Sequence, residues 1–289
     1  MTEAPGPAAA PAGQQEAVAA ALRAAGCVFA EDEAELLMSV AATPAELAAM
    51  VGKRAAGLPL EQVVGWAEFC GLRIAVDPGV FVPRRRSEFL VALAVAAAGE
   101  VRLPAGGRPR PAAERGGVLT IADLCCGTGA IGLAIATAAG PAQLYAADIA
   151  PAAVSCARRN VSRVGGQVFQ GDLFDALPPR LRGRIDVLAV NAPYVPTGEI
   201  RFLPPEARLH EPPVALDGGA DGVDVQRRVS ASAAEWLSAE GRLLVETSDR
   251  QAPLTIAAMT AGGLTAAAIS DGELGSTIVI GSPQRPAAG

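Results

Sequence analysis

The stretch Asp123-Leu-Cys-Cys-Gly-Thr-Gly-Ala-Ile-Gly132 decides how the chain folds. An apolar run over residues 118–124 leads into its closely spaced glycines, and a helical pattern over residues 130–138 follows. Glycines let the backbone turn tightly and approach a ligand, while the next helix offers its N-terminal N–H groups. Asp148 closes the next apolar run about 20 residues later, where a carboxylate can accept hydrogen bonds from ribose hydroxyls. The stretch predicts a strand–loop–helix unit that binds a nucleoside-bearing cofactor; the alternative is a glycine-rich turn with Asp148 as a helix N-cap.

Strands and helices alternate along the chain after residue 118. The predicted strands are 118–124, 143–148, 167–171, 185–190, 242–247 and 277–280, and the predicted helices are 130–138, 151–160, 224–237 and 254–259. This alternation is typical of βαβ units that build a parallel, doubly wound sheet with helices on both faces. Ligands of such sheets bind outside the carboxyl ends of the strands, so the candidate site is expected there.

The first third of the chain differs from the rest in composition and in its predicted secondary structure. Residues 1–15 are rich in alanine and proline and are predicted to be a disordered tail, whereas helical patterns at 16–25, 31–40 and 43–57 predict a helical domain over 16–62. Short β-branched runs and turn signals over 63–83 predict a β-hairpin linker. The large domain is predicted to occupy 84–285, with a flexible insertion at 99–117 where glycine, proline and arginine recur without periodicity.

Composition limits the classes of function. The 289 residues carry a formal net charge of −6, which argues against a protein that coats nucleic acid by charge alone. The five cysteines show no C-x-x-C pair and His210 is the single histidine, so neither a metal site nor a Ser-His-Asp triad is expected. The odd number of cysteines without C-x-x-C pairs predicts reduced thiols in a cytoplasmic protein. The apolar runs are short and alanine-rich, which predicts no membrane span.

Two features favour S-adenosylmethionine over NAD as the cofactor. Asp123 opens the glycine loop on the strand, where the acid of methyltransferases helps to hold the loop and the methionine end. Gly171-Asp-Leu-Phe174 follows the third predicted strand, where methyltransferases place an acid and an apolar residue around the adenine. Taken alone, Asp172 is explained equally well as a turn residue.

The fourth predicted strand ends in Asn191-Ala-Pro-Tyr194. A planar amide or exocyclic amine is a weak nucleophile because its lone pair is delocalised, so it must be held in line with a sulfonium methyl group. Asn191 Oδ1 can accept one of its N–H groups and the main-chain carbonyl of Ala192 can accept the other. Pro193 stiffens the turn, and the ring of Tyr194 can cover the planar group. Orientation of this kind can lower a barrier by about 7–11 kcal/mol; the alternative is a polar turn after a buried strand.

The tetrapeptide resembles the Asn-Pro-Pro-Tyr signature of amide and amine methyltransferases of the class I fold. The segment Phe81–Val91 is similar to the Pro-Arg-Pro-Glu-Thr-Glu segment of the protein-(glutamine-N5) methyltransferases of the HemK/PrmC type. Residues 57–72 are similar to the linker of that family, and residues 211–227 and 244–251 are similar to its regions after the tetrapeptide. The resemblance is collinear along most of the chain.

The resemblance implies both a fold and a reaction. The fold is α/β, a class I S-adenosylmethionine-dependent methyltransferase with a Rossmann-like doubly wound sheet, an antiparallel last strand and a small helical N-terminal domain. The reaction is methyl transfer from S-adenosylmethionine to the side-chain amide nitrogen of a protein glutamine, in the Gly-Gly-Gln motif of peptide-chain release factors. The expected partner is a release factor, and we expect a monomer without stable nucleic-acid binding or membrane attachment.

Roles are carried over position by position from the resembled motifs. The residues expected to be catalytic are Asn191, Ala192, Pro193 and Tyr194, and the same four together with Arg84 are expected to bind the substrate. The residues expected to bind the cofactor are Asp123, Cys125, Cys126, Gly127, Thr128, Gly129, Asp148, Asp172, Leu173 and Asn191.

Four departures from the family pattern indicate a divergent paralogue. Cys125 replaces the first loop glycine, which the fold tolerates only if φ at that position is below zero. Ala192 replaces a proline but keeps its carbonyl, Arg85-Arg86 replaces Pro-Glu, and Ser248 stands where the family has glycine. These departures bear on the release-factor substrate more than on the chemistry.

Three other functions compete with this hypothesis. Methylation of N6-adenine or another nucleobase amine uses the same tetrapeptide geometry. An NAD-dependent oxidoreductase would use the literal G-x-G-x-x-G pattern, but it leaves the tetrapeptide unexplained, and Lys53, the sole lysine, belongs to no Tyr-x-x-x-Lys pair. A catalytically silent binding module would explain Cys125 and Ala192. The run Arg84–Arg86 is either a solvated linker or a clamp on the substrate protein or on an associated RNA.

Overall fold

The computed structural model describes residues 12–102 and 118–284. Its helices are α1 (Ala12–Ala24), α2 (Ala30–Val40), α3 (Pro44–Ala55), α4 (Leu60–Val64), α5 (Glu88–Arg102), α6 (Ala130–Ala138), α7 (Pro151–Val161), α8 (Pro205–His210), α9 (Asp224–Trp236) and α10 (Ala252–Ala261). Its strands are β1 (Trp66–Phe69), β2 (Leu72–Ala75), β3 (Leu119–Leu124), β4 (Ala142–Asp148), β5 (Gln167–Gln170), β6 (Ile185–Val190), β7 (Leu237–Thr247), β8 (Leu264–Asp271) and β9 (Ser276–Pro283).

Seven strands form one sheet in the order β5-β4-β3-β6-β7-β9-β8. Strand β3 pairs in parallel with β4 and β6, while β9 runs antiparallel between β7 and β8. Every residue of β3 and β6 is buried because helices cover both faces of the sheet. This arrangement confirms the predicted doubly wound α/β fold with an antiparallel last strand. It also brings the ends of β3, β4 and β6 to one edge.

Two apolar layers hold the helices against the sheet. On one face, α5 and α6 contribute side chains such as Leu90 and Leu133 to a core that includes Ile121 of β3. On the other face, α9 contributes Trp236, which stacks on Phe174 with ring centroids 5.3 Å apart. These two layers hold the helices against the sheet, and thereby position the loops at the carboxyl ends of β3, β4 and β6.

Helices α1–α3 pack around a small apolar core that contains Leu22 and Leu37. Helix α3 begins where the sequence predicts, since Thr43 Oγ1 accepts a hydrogen bond from the backbone N–H of Glu46 at 3.1 Å. Arg54 links this region to the rest of the protein. Its guanidinium donates to Glu33 Oε2 at 2.6 Å and to Glu206 Oε2 of α8 at 3.1 Å.

Several predicted elements are wrong in their type or their ends. Helix α1 begins at residue 12, inside the predicted tail, and α5 continues to residue 102, so the first four residues of the predicted insertion are helical. The remainder of that insertion, 103–117, lies outside the described residues, as does most of the predicted tail. Val63 and Val64 end helix α4 instead of opening a strand, because Gly65 with φ +82° terminates the helix there.

Strand β8 was not predicted from the sequence. Its alanine-rich sequence has low strand propensity, but antiparallel pairing with β9 from Leu264 to Asp271 supplies the backbone hydrogen bonds that the propensity does not indicate. Helix α8 was not predicted either, because two prolines precede or begin it and the surrounding sequence resembles a loop. The hairpin is present as β1 and β2, with Trp66 opposite Ala75.

Gly132 is required by close packing between α6 and the sheet. A Cβ at this position would lie 2.8 Å from Leu144 Cδ1 and 2.9 Å from Asp123 Oδ2. We expect Gly132→Ala to lower the free energy of unfolding by about 1–3 kcal/mol because of overpacking. Gly99→Ala is the matched control within helix α5, where a Cβ would meet nothing within 4 Å; it should be neutral or stabilising. Equal urea midpoints for the two variants would contradict this account.

Candidate active site

A cavity of about 560 Å³ opens at the carboxyl ends of β3, β4 and β6. Most of the residues predicted from the sequence line it. These are Cys125, Cys126, Gly127, Thr128, Asp148, Asp172, Leu173, Arg84 and the tetrapeptide Asn191–Tyr194. The glycine loop and the tetrapeptide therefore face one space, as a reaction between a bound cofactor and an acceptor requires.

Asp148 holds the glycine loop at the tip of β4. Its Oδ2 accepts from the backbone N–H of Gly127 at 2.9 Å, and its Oδ1 accepts from the N–H of Ala150 at 2.9 Å. Burial raises the pKa of this carboxyl above its usual value, and these two N–H groups oppose that shift. The side chain is thus placed between the loop and the cavity, where ribose hydroxyls would reach it.

The backbone at Cys125 corrects the expectation about its conformation. Its φ is +56°, in the left-handed region, so the requirement for a negative φ was wrong. The turn still needs the conformation that glycine adopts readily, and a residue with a Cβ adopts it at a cost of about 1–2 kcal/mol. Burial raises the pKa of the Cys125 thiol, which therefore stays protonated and packs as a small side chain.

Asp123 lies behind the loop instead of on the cavity wall. It is 1% exposed, and its Oδ2 accepts from the backbone N–H of Gly132 at 2.9 Å, which fixes the start of α6. Its Oδ1 has no hydrogen-bond partner among the described residues. Burial raises the pKa of Asp123 to about 7. Gly129, which precedes α6 with φ +74°, likewise supports the loop from behind the wall.

The raised pKa of Asp123 predicts a pH dependence of stability. In the unfolded chain the carboxyl ionises near its ordinary pKa, whereas in the folded protein it stays neutral up to about pH 7. Its contribution is therefore fully present below about pH 4 and is lost as pH rises to about 7. We expect the free energy of unfolding of the parent to fall by about 3 kcal/mol relative to Asp123→Asn over this range. Urea unfolding across the range measures the difference, and parallel pH profiles would contradict the assignment.

Asp172 and Leu173 follow β5 and line the cavity. Leu173 has a φ of +50°, which turns the chain directly after β5. Asp172 Oδ2 accepts from Nη2 of Arg228 at 2.7 Å, and Arg228 also lines the cavity. Sequence reasoning missed Arg228 because it lies on α9, remote in sequence from the loop that it contacts.

The tetrapeptide leaves the end of β6 and is held from both sides. Asn191 Nδ2 donates to Ser87 Oγ at 3.2 Å and to Glu246 Oε2 at 3.3 Å. Tyr194 donates its hydroxyl to Glu246 Oε1 at 3.4 Å, and the Tyr194 carbonyl accepts from Gln251 Nε2 at 2.8 Å. Burial, helped by the Glu246 carboxylate, raises the pKa of Tyr194 to about 12. The phenol therefore stays neutral at the wall of the cavity.

The arginine run is partly tied down by buried acids. Arg84 forms an ion pair with Glu211, whose side chain is 1% exposed, and its guanidinium lies 5.3 Å from the centre of the Phe81 ring. Burial raises the pKa of Glu211, which the charge of Arg84 opposes. Arg86 donates through Nε to Glu246 Oε1 at 3.2 Å. Arg84 and Arg86 are thus part of the wall, whereas Arg85 between them is exposed and lies outside the lining.

Sequence reasoning missed four residues that shape the site, namely Ser87, Glu211, Arg228 and Glu246. Ser87, Glu211 and Glu246 lie within segments that resemble the glutamine methyltransferases, so the resemblance was the available signal. Their partners, however, come from other elements of the fold. Ser248 fits without glycine because its hydroxyl donates to Gln251 Oε1 at 2.6 Å.

The described residues offer neither a metal centre nor a membrane-spanning helix. No group of three or more His, Cys, Asp or Glu side chains in residues 12–102 and 118–284 could hold a metal ion. Among the helices of the same residues, none combines the length and the apolar composition that a bilayer crossing requires.

Comparisons with known proteins agree with this geometry. The family model described as a methyltransferase small domain matches residues 114–202. The chain is 37% identical over 214 residues to the release factor glutamine methyltransferase of Geobacter sulfurreducens, which covers 72% of this chain and 68% of that protein. It is 37% identical over 265 residues to the release factor glutamine methyltransferase of Mycolicibacterium smegmatis, which covers 86% of this chain and 88% of the relative.

A solved structure supports the fold alone. The T. thermophilus 16S rRNA methyltransferase in complex with AdoMet and guanosine superposes with a TM-score of 0.51 at 17% identity, over 76% of this chain and 50% of that one. The curated relatives are named as methyltransferases and not as oxidoreductases, which argues against the oxidoreductase hypothesis. The chain belongs to the family of release factor glutamine methyltransferases.

Proposed function

We propose that this enzyme transfers a methyl group from S-adenosylmethionine to the side-chain amide nitrogen of the Gly-Gly-Gln glutamine in a peptide-chain release factor. The observation that carries the proposal is the position of Asn191-Ala-Pro-Tyr194, at the carboxyl end of β6 and in the same cavity as the glycine loop. The two relatives named release factor glutamine methyltransferases support the acceptor.

The glycine-loop side of the cavity fits the methyl donor. A Cβ at Gly127 would meet nothing within 4 Å, so the loop leaves open space beside the N-terminus of α6. Asp148 would bind the ribose hydroxyls, and Leu173 beside Asp172 would flank the adenine. S-adenosylmethionine supplies an electrophilic methyl group on a positively charged sulfur. The contribution of the protein is to hold that group against the wall formed by the tetrapeptide.

The tetrapeptide side orients the acceptor. Asn191 Oδ1 and the carbonyl of Ala192 would accept the two N–H groups of the glutamine amide, and the ring of Tyr194 would lie against its plane. With both N–H groups accepted, the plane of the amide would be fixed relative to the methyl donor. The donor would supply its methyl group to the amide nitrogen and leave as a neutral thioether, and one N–H proton would pass to solvent. Orientation accounts for most of the rate enhancement.

The helical region is well placed to dock the release factor. Arg54 of α3 contacts Glu206, and Glu206 lines the cavity, so residues 16–62 lie beside the cavity mouth. We also propose that the enzyme acts as a cytoplasmic monomer, because the glycine loop and the tetrapeptide of the same chain face one cavity and release factors act in the cytoplasm. The proposal includes no stable nucleic-acid partner and no membrane partner.

Acceptor competition tests the proposal against nucleobase methylation. The purified enzyme is given labelled S-adenosylmethionine together with either a release factor or an adenine-containing DNA duplex, at equal acceptor concentration. We expect label on the release factor alone. Calorimetric titration should show binding of S-adenosylmethionine and no heat with NAD. Label on the duplex in the absence of label on the release factor would overturn the proposed acceptor.

A further inference from the structure

Glu246 lies directly behind the tetrapeptide at the end of β7. Its side chain is 1% exposed and stands outside the cavity lining, so it does not touch a bound substrate. Three side chains nevertheless converge on its carboxylate. Asn191 Nδ2 lies 3.3 Å from Oε2, while Tyr194 Oη and Arg86 Nε lie 3.4 Å and 3.2 Å from Oε1. A buried carboxylate in contact with two members of the tetrapeptide acts on the site through them.

The contacts of Asn191 decide which end of its amide faces the cavity. Its NH₂ group has two hydrogens, and these are donated to Ser87 Oγ and Glu246 Oε2. The oxygen Oδ1 is then the end that remains for a substrate N–H. If the amide flipped by 180°, its oxygen would face the Glu246 carboxylate, and its NH₂ group would face the N–H groups of the glutamine.

Ser87 and Glu246 do not discriminate equally between the two orientations. A serine hydroxyl rotates and can either donate or accept, so Ser87 can bond either end of the amide. An ionised carboxylate only accepts, so Glu246 can bond only the NH₂ end. Arg86 donates to the other carboxylate oxygen, Oε1, and a guanidinium can only donate.

We propose that Glu246 is a positioning residue that holds the Asn191 amide with Oδ1 toward the acceptor, while Arg86 holds the Glu246 carboxylate in place through its other oxygen. The inference rests on the proposed function, because it concerns how that reaction is oriented. A residue that only stabilises the fold should tolerate a replacement of the same shape. The positioning role instead predicts that kcat falls when Glu246 gains a hydrogen-bond donor, even though the side-chain shape is unchanged.

The isosteric variant Glu246→Gln gives the sharpest test. Arg86 can only donate, so the new amide oxygen should turn toward Arg86 and the new NH₂ group toward Asn191. The Asn191 amide would then flip, with its oxygen away from the substrate. We expect kcat to fall about 50-fold, with KM for release factor and Kd for S-adenosylmethionine within about 3-fold of the parent.

Two further variants separate polarity from packing. Glu246→Met removes the acceptor without favouring the wrong orientation, so kcat should fall about 10-fold, less than in Glu246→Gln. Adding Arg86→Leu to Glu246→Gln frees the introduced amide to rotate. The kcat of the double variant should therefore be about 5-fold higher than that of Glu246→Gln alone. The matched control is Asp186→Asn, the same isosteric change at a buried carboxylate that accepts from Thr120 N and Ser238 Oγ at the other end of β6. Its kcat should equal that of the parent.

Methyl transfer to saturating release factor measures these values, with thermal unfolding as the check on folding. The order parent, Met variant, Gln variant supports the inference, as does recovery in the double variant. A Gln variant within about 3-fold of the parent would overturn it. If the Gln variant does not fold, the Met variant decides, and a kcat equal to that of the parent would overturn the inference. If the parent methylates release factor and the variants are unaffected, only the positioning role is contradicted. If the parent does not methylate release factor, the proposed function on which the role rests is contradicted.

Discussion

Asn191→Ala is expected to lower kcat for methyl transfer to release factor by about 10³-fold. The change removes the oxygen that accepts one glutamine N–H, and it leaves Glu246 Oε2 and Ser87 Oγ without the donor that they share. The acceptor nitrogen then loses its alignment with the methyl group. Because positioning is the main source of catalysis here, no other group of the site can replace this function.

The fold should survive the Asn191→Ala change. Asn191 is only half-buried, and the carbonyl of Tyr194 remains held by Gln251. Thermal unfolding and calorimetric titration with S-adenosylmethionine are the controls, and we expect Kd within about 10-fold of the parent because Asn191 also borders the cofactor side. An Asn191→Ala enzyme that keeps its full kcat would remove this residue from the mechanism.

Asp148→Ala is expected to raise the Kd for S-adenosylmethionine by about 30- to 100-fold, equivalent to about 2–3 kcal/mol for hydrogen bonds to a charged group. The Asp148 side chain has two roles. It fixes the glycine loop through Gly127 N and the next helix through Ala150 N, and it presents its carboxylate to the ribose. Calorimetry at constant pH measures the loss directly.

Asp175→Ala is the matched control for Asp148→Ala. Asp175 is an exposed acid in the short helical turn 173–176 after β5, so its removal changes the charge near the cavity mouth and leaves the loop intact. Its Kd should stay within about 2-fold of the parent. Equal losses in the two variants would show that net charge, and not the contact with the loop, controls cofactor binding.

Local sequence signals predicted the centre of the fold well. Helix α6 and strand β6 occupy the predicted ranges, 130–138 and 185–190, because glycines and a terminal polar residue bound largely apolar runs. The signals failed where pairing with distant strands decides the structure. Strand β8 exists because β9 provides its partner, and its alanines carry no such information.

Within the site, the glycine loop and the tetrapeptide were predictable from motifs, whereas residues that other elements bring to them, such as Arg228 in the cavity wall and Glu246 behind it, were not. Asp148 and Asn191 each follow a strand in a recognisable pattern. Glu246 acquires its role only when β7 lies beside β6 and its carboxylate meets Asn191, 55 positions away in the sequence. The conformation of Cys125 was also unpredictable from its type, since the turn imposes the positive φ on the side chain.

The central claim is that the acceptor is the Gly-Gly-Gln glutamine of a release factor, and methyl transfer to two forms of that protein tests it most directly. The enzyme and labelled S-adenosylmethionine are incubated with the natural release factor and with a version in which this glutamine is replaced by alanine. We predict one methyl group on the natural protein, located by mass spectrometry on the glutamine side chain, and none on the altered one. Equal labelling of both forms would contradict the claim.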